Sequence, residues 1–504
     1  MANIEDLLQE GHNCHQTGNL AAAAQLYQKI LDKQPGNIDA IFLLGTLNLQ
    51  QGNLETATIF LRKAIELKPD HVVAYNNLGT VLQKQRKLDE AVLSFNQAIT
   101  LKPDYADAYY NLGNAFIEQG KLDEAVNSYR NAISHNPGDA EMYYNLGNVL
   151  KEQGKLDEAV GNYRQAIKHK PDFADAHMNM SVALLLAGKL EEGWPEYEWR
   201  LCTKDDAPKN FKQPQWDGSP LNGQHILVHA EQGFGDTIHF VRYLPMVKAQ
   251  GGYVLFECQR GLSKLLENCA GIDEIVERTP DKETTNQFDV HVPLLSLPGI
   301  FGTTLDTIPS DIPYITVDPK LVDQWHMRLD HNNDFKIGIV WAGSPKHKKD
   351  RYRSCSLADF VPLFNIPDLS FYGLQKGPAS VDTLDPPKWV KLTNLGDELN
   401  DFADTAAVIA NLELVISVDT AVAHLAGAIG KPVWNLLHSA PDWRWLLNRD
   451  DSSWYPSMRL FRQTQFYDWI GVFERVKKEL LKEFISPKWS NEIILNQTHK
   501  LFSS

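Results

Sequence analysis

The apolar positions of this 504-residue chain follow two rhythms. Through residue 204 they recur in helical blocks with a period of 34 residues, marked by Pro35, Pro69, Pro103, Pro137 and Pro171. From His225 onward, short apolar and β-branched runs alternate with helical stretches. The first rhythm predicts stacked pairs of antiparallel helices, and the second predicts strands buried on both faces of parallel sheets.

Within the first rhythm, Tyr75–Gly79, Tyr109–Gly113 and Tyr143–Gly147 are near copies, as are Lys87–Ala91, Lys121–Ala125 and Lys155–Ala159. Proline opens each unit, glycine lets the two helices cross closely, and alanine of the second helix packs on its neighbour. This pattern resembles that of tetratricopeptide repeats. Six units are expected: 1–34, 35–68, 69–102, 103–136, 137–170 and 171–204. The last carries Trp194 and Pro195 where the others continue regularly, as terminal repeats do when they face a different neighbour. Trp194 and Trp199 are the expected seal against the following domain. Asn77, Asn111, Asn145 and Asn179 also recur at the repeat period. They could hold an extended peptide by its backbone, or they could bond helix to helix between repeats.

A polar, proline-rich stretch at 205–221 reads as a linker. Beyond it, strands are expected at His225–Ala230, Tyr253–Cys258 and Phe288–Pro293, with a helix over Thr237–Ala249. A second series is expected at Lys336–Gly343, Leu369–Gln375, Trp389–Leu392, Leu414–Val418 and Val433–Leu437. Prolines between residues 300 and 335 separate the two series. The expected architecture is therefore an α-solenoid followed by an α/β body of two lobes, at 222–333 and 334–484, with a tail at 485–504.

Composition narrows the classes. A net charge of −15 argues against a general nucleic-acid binder. Five scattered cysteines, with no CxxC, suit a reducing compartment and fit neither a zinc site nor a disulfide frame. The N-terminus lacks a signal-peptide pattern, and no apolar run is long enough to span a membrane. A cytoplasmic location without membrane insertion is expected.

Candidate chemistry lies at strand ends, where α/β sheets bind ligands. After Leu414–Val418 come Asp419 and Thr420, then a helix of small residues starting at Ala421, with His424 one turn in. Its N-terminus suits a phosphate. An ordinary capped α/β unit is the plainer alternative. Gly233, Gly235 and Asp236 open the first helix of the first lobe, without the third glycine of a dinucleotide fingerprint. Asp236 could be a general base or only a helix cap. Gly343, Ser344, Lys346, Lys348, Lys349, Arg351 and Arg353 follow the first strand of the second lobe, a cationic group fit for a diphosphate or a solvated basic loop. Gln375 could bond a base or ribose, and Lys376 a leaving phosphate. Arg444 and its aromatic neighbours could meet a ligand, but packing at the lobe interface is the expectation.

Together these motifs resemble the heptosyltransferase family of glycosyltransferases, with the two facing Rossmann-like lobes of the GT-B fold. The layout is also similar to O-linked N-acetylglucosamine transferases and their fucosyl-transferring relatives of the SPINDLY type. The resemblance implies Asp236 as base, and Gly235-Asp236 as the Gly-Asp that opens the first helix. Asp419-Thr420-Ala421 through His424 stand for the donor-phosphate motif, with Ala421 where the family has glycine. Lys346 or Arg353 would be the cation on the diphosphate. It implies an inverting transfer from a nucleotide-diphosphate sugar without a metal or other cofactor. The acceptor would be a protein or peptide recruited by the repeats, and a homodimer through the repeats is compatible with it. The alternative is a non-catalytic scaffold with a degenerate lobe that binds a nucleotide sugar or nothing.

Overall fold

The structure is a computed structural model that describes residues 3–203, 211–278, 287–329, 333–346, 350–383, 392–465 and 467–484. Its contacts divide the chain into two compact units, Met1–Met180 and Ser181–Ser504.

The first unit is helical throughout. Its pairs are Ile4–Gln16 with Leu20–Lys33, Ile38–Gln50 with Leu54–Leu67, Val72–Lys84 with Leu88–Leu101, Ala106–Glu118 with Leu122–His135, and Ala140–Glu152 with Leu156–His169. Glycine is required where paired helices cross. A Cβ on Gly113 would lie 2.8 Å from the Tyr129 ring, so that ring takes the space a side chain would need. Ala57, Ala91, Ala125 and Ala159 are fully buried, which lets successive helices approach closely.

The unit boundary falls within the helix Ala174–Leu186, earlier than the expected end of the array at residue 204. The helix Leu190–Tyr197 and the 3-10 turn Glu198–Cys202 pack with the α/β body instead. Trp194 explains this. Its Nε1 donates to the Thr303 carbonyl at 2.8 Å, and its ring meets Trp443 edge-on at 5.4 Å. Trp199, expected to share the seal, is only half-buried; Tyr197 takes that place, 6.2 Å from Trp443.

The second unit holds two parallel sheets. The first contains β1 (His225–His229), β2 (Tyr253–Gln259), β3 (Glu274–Arg278) and β4 (Val290–Pro293), in the order β3-β2-β1-β4. The second contains β5 (Phe335–Val340), β6 (Leu369–Gly373), β7 (Leu392–Asn394), β8 (Leu414–Val418), β9 (Val433–Leu437) and β10 (Met458–Arg462), in the order β10-β9-β8-β5-β6-β7. β8 and β9, apolar except for Ser417 and Asn435, are buried along their whole length. The expected long helix at 237–249 is broken. It runs Phe234–Phe240, turns as 3-10 through Val241–Tyr243, and resumes at Leu244–Lys248, because Pro245 fits only the first turn of a new helix. Of the expected strand at 389–392, Trp389 lies outside the described residues, as do Lys348, Lys349, the linker part 204–210 and the tail 485–504. Among the described residues, no helix is long and apolar enough to cross a membrane.

Candidate functional site

The site is built where two helix N-termini meet. β8 ends at Val418, and the helix Ala421–Ala428 begins beyond it. Thr420 sits at the N-cap in an extended conformation, but its hydroxyl bonds Ser417 Oγ at 3.0 Å instead of turning back over the helix. The first turn therefore has no side-chain cap, although Ala423 N–H bonds the Thr420 carbonyl at 3.1 Å. This differs from the expected capping role of Asp419 and Thr420.

Against it lies the helix Phe234–Phe240 of the first lobe. Gly235 is the point of contact, since a Cβ there would stand 3.1 Å from His424 Cδ2 and 3.5 Å from Ala421 Cα. Glycine at 235 and alanine at 421 let the two lobes touch backbone to backbone. The carboxylate of Asp236 accepts from Gly233 N–H at 3.1 Å through Oδ2, across the first turn of its own helix. Through Oδ1 it accepts from Arg444 Nη2 at 2.6 Å. Asp236 therefore does cap its helix, and it also faces a cation of the other lobe. Its side chain keeps 24 % exposure, so the carboxylate is reachable from solvent.

Arg444 is more central than sequence reasoning allowed. It packs over Trp443, as expected of an interface residue, with its guanidinium 4.5 Å from the ring centroid. It also holds Asp442 at 2.9 Å and Asp236 at 2.6 Å. Burial disfavours its charge, but Asp442 and Asp236 outweigh burial and hold its pKa above the ordinary guanidinium value. Asp419 lies in the same cluster. Burial first, and the nearby Asp442 second, push its carboxyl up to about 6. Asp442 is held below the usual carboxylate range, chiefly because Arg444 outweighs its burial.

His424 is not an open ligand. It is buried, stacked on Trp445 at 5.3 Å, and its Nδ1 meets Tyr455 Oη at 3.0 Å. Burial and then Arg444 lower its pKa to about 3, so the ring is neutral and its Nε2, 3.9 Å from Asp419 Oδ1, makes no ion pair. Tyr455 also meets His239 Nδ1 at 2.9 Å and Tyr314 Oη at 3.3 Å. Arg242 joins this hub through Tyr314 at 2.9 Å and the Trp454 carbonyl at 2.8 Å. His424 thus belongs to a buried network that ties the lobes, with its ring orientation set from behind.

The loop after β5 reaches the same place. Arg353 Nη1 donates to the Asp419 carbonyl at 3.1 Å while its Nε meets Asp350 at 3.2 Å. Gly343 is required there, because a Cβ would lie 2.7 Å from the Arg353 guanidinium carbon. Ser344 and Lys346 are exposed on this loop. Gln375 is spent internally: its Oε1 accepts from Trp341 N at 3.1 Å and Ala342 N at 2.9 Å, and its Nε2 donates to the Ala342 carbonyl at 3.0 Å. It shapes the loop and has little left for a base or ribose. Lys376 bonds the Leu399 carbonyl, away from the phosphate role expected of it. The structure therefore brings together Asp236, Gly235, Asp419, Thr420, Ala421, His424 and Arg353.

The asparagine run of the first unit is bonded between repeats. Asn77 donates to Thr46 Oγ1 at 3.1 Å, Asn111 to Asn76 Oδ1 at 3.0 Å, and Asn145 to Tyr110 Oη at 2.8 Å. Asn179 donates to Tyr144 Oη at 2.9 Å and Asn148 Oδ1 at 3.0 Å. These bonds are those of the helix-to-helix alternative, and each asparagine is half-buried.

Residues 15–82 match a tetratricopeptide repeat model, and 84–120, 113–154 and 147–188 match a second TPR repeat model. Residues 390–445 match the model of glycosyltransferase family 9 (heptosyltransferase). The chain thus joins a stretch similar to tetratricopeptide repeats to a segment similar to glycosyltransferase family 9. That segment contains β8, the Asp419–His424 turn, β9 and Arg444, and stops short of Asp236 in the other lobe. Protein FlbA of Caulobacter vibrioides is 28% identical over 316 residues, which cover 57% of this chain and 52% of FlbA. The chain thus spans about half the length of the curated relative it matches. Among solved structures, MamA is 29% identical with a TM-score of 0.31, covering 32% of this chain and 96% of MamA. YrrB, described as a TPR protein with an unusual peptide-binding site, is 23% identical with a TM-score of 0.33, covering 36% of this chain and 95% of YrrB.

Proposed function

We propose that the protein is an inverting, metal-independent glycosyltransferase that moves a sugar from a nucleotide-diphosphate sugar to a hydroxyl acceptor. The observation that carries this reading is the contact of Gly235 with Ala421 and His424, which sets Asp236 beside the uncapped first turn of the helix after β8. The acceptor hydroxyl loses its proton to Asp236 and attacks the anomeric carbon. The bond from that carbon to the diphosphate breaks, and its electron pair leaves with the diphosphate. The first-turn N–H groups, with Arg353 and the exposed Lys346 near the same strand ends, meet that negative charge. Asp236 has the capacity for its part. A carboxylate offers about four lone-pair sites, and Gly233 and Arg444 occupy two of them. Arg444 keeps the carboxylate aimed. The repeats would recruit a protein or peptide acceptor, as repeat arrays present extended binding surfaces.

Calorimetry with UDP, GDP and ADP, each with and without EDTA, tests the donor side. Binding of one nucleotide that survives EDTA is expected; loss of binding in EDTA removes the metal-free part, and no binding at all removes the site. A second reading, a repeat scaffold whose lobes bind a nucleotide sugar without transfer, draws on the engagement of both Asp236 oxygens and the burial of His424. Binding without turnover would select it.

A further inference from the structure

Arg200 is an enclosed cation near the site that bonds neither Asp236 nor Arg444. Its side chain has no solvent exposure. Nε and Nη2 donate to the two oxygens of Glu231, each at 3.1 Å. Nη1 donates to the Tyr197 carbonyl at 3.1 Å and to Glu198 at 2.7 Å, and Nη2 also reaches Ser296 Oγ at 2.8 Å. Glu231 in turn accepts from Leu295 N at 3.1 Å. Glu231 is the second residue after the end of β1, and the loop from it runs through Gly233 to Asp236.

The loop has other anchors at its two ends: Arg278 Nη1 donates to the Glu231 carbonyl at 3.3 Å. Gln259 holds the Gln232 carbonyl at 2.8 Å and Thr237 Oγ1 at 3.0 Å. Between these points, Gly233 and Phe234 are exposed. The same short segment also reaches the other partner of Asp236. Trp194 and Tyr197 pack on Trp443, the neighbour of Arg444. Residues 194–200 therefore touch both the loop that carries Asp236 and the segment that supplies its counter-charge.

We propose that Arg200 is a positioning residue for Asp236: its two-pronged bond to Glu231 fixes the 231–235 loop and hence where the carboxylate stands against the helix after β8. A planar fork meeting both carboxylate oxygens sets direction as well as distance, which an ammonium cannot reproduce. A displacement of about 1 Å at a reacting group costs on the order of 10²-fold in rate. The proposal rests on the reading of Asp236 as the base.

The test uses the full chain with Arg200→Lys, Ser296→Ala, Asp236→Asn and the Arg200→Lys/Asp236→Asn pair. Two readouts are taken: hydrogen exchange of the peptides covering 230–240 and 414–430, and release of nucleoside diphosphate from a panel of UDP-, GDP- and ADP-sugars. Arg200→Lys is expected to speed exchange at 231–237 about tenfold or more while 414–430 is unchanged. It should lower kcat roughly 10–100-fold with KM for the donor within about twofold. On the Asp236→Asn background the same change should cost less than about twofold, because there is no base left to misplace. An equal loss on both backgrounds, or unchanged exchange at 231–237, overturns the proposal. Ser296→Ala removes one contact and keeps the ion pair, so it decides the matter if the lysine variant does not fold: it should shift both readouts in the same direction by a smaller factor, and wild-type values in both overturn the idea. Full turnover by Asp236→Asn would instead sink the base assignment, while the exchange readout still reports whether Arg200 holds the loop.

Discussion

Replacing Asp236 by asparagine separates its two roles. As a general base, the carboxylate should contribute about 10²–10⁴-fold to the rate, and asparagine cannot take the proton. The stability cost follows from its two bonds. The Arg444 bond at 2.6 Å loses its ion-pair character but stays charge-assisted through the guanidinium, a difference of about 1 kcal/mol. The bond from Gly233 faces an amide NH₂ once the asparagine oxygen turns to Arg444, but Gly233 is exposed and water can replace it, so that loss is a few tenths of a kcal/mol. Arg444 retains Asp442, so it is not left as an unpaired buried charge. The sum, about 1–2 kcal/mol, should lower Tm by roughly 2–8 °C, since each kcal/mol shifts a body of this size by a few degrees. Differential scanning fluorimetry gives the Tm, and nucleoside diphosphate release gives the rate. Nucleotide affinity should survive, because the donor contacts lie in the other lobe. Turnover within about threefold of wild type, well below the general-base range, would refute the reasoning and move the base elsewhere. His239 is a poor substitute, since burial holds its pKa well below the usual imidazole value and its Nδ1 is taken by Tyr455.

Gly235→Ala should destabilise the body by about 1–3 kcal/mol and weaken nucleotide binding, because the new methyl meets His424 and Ala421, and neither the stacked ring nor the backbone can yield; unchanged urea unfolding and affinity would contradict the close contact. Asp419→Asn should show a pH-dependent stability difference. The folded carboxyl is raised, so its protonated form favours folding: wild type keeps that stability below about pH 4 and loses it as pH rises through about 6. Urea midpoints should therefore nearly coincide at pH 4 and favour the asparagine variant at pH 8, and a gap that widens towards acid would reverse the assignment. Deleting residues 1–170 should leave the body folded, because Trp194 and Tyr197 stay with it, while removing most activity on a macromolecular acceptor; full-rate modification by the truncated protein would show that the repeats do not recruit it.

The periodic part of the fold was open to reading because each repeat restates the same packing problem, so glycine, alanine and proline recur at fixed positions. β8 and β9 were legible for a different reason: a central parallel strand is buried on both faces and reads as a mostly apolar run. β3 and β10 escaped because they are edge strands. Glu274-Ile-Val-Glu-Arg278 and Met458-Arg-Leu-Phe-Arg462 carry charges that an edge tolerates, and the pattern looks like surface. In the site, the glycines and Asp236 stood out because a tight strand-to-helix turn needs them. Arg200 did not, since its partner Glu231 is 31 residues away and no local spacing announces the pair. Arg444 was visible in its aromatic setting, but only the fold puts it on Asp236. Gln375 was assigned an outward role that the fold spends on its own loop.

The most direct test of the central claim is proton NMR of the wild-type protein in EDTA with the nucleotide sugar selected from the UDP, GDP and ADP panel and a lysate-derived protein acceptor fraction. The account predicts release of nucleoside diphosphate together with a transferred sugar whose anomeric configuration is opposite to that of the donor, and no such product with Asp236→Asn. Transfer with retained configuration, or transfer that stops in EDTA, would contradict it.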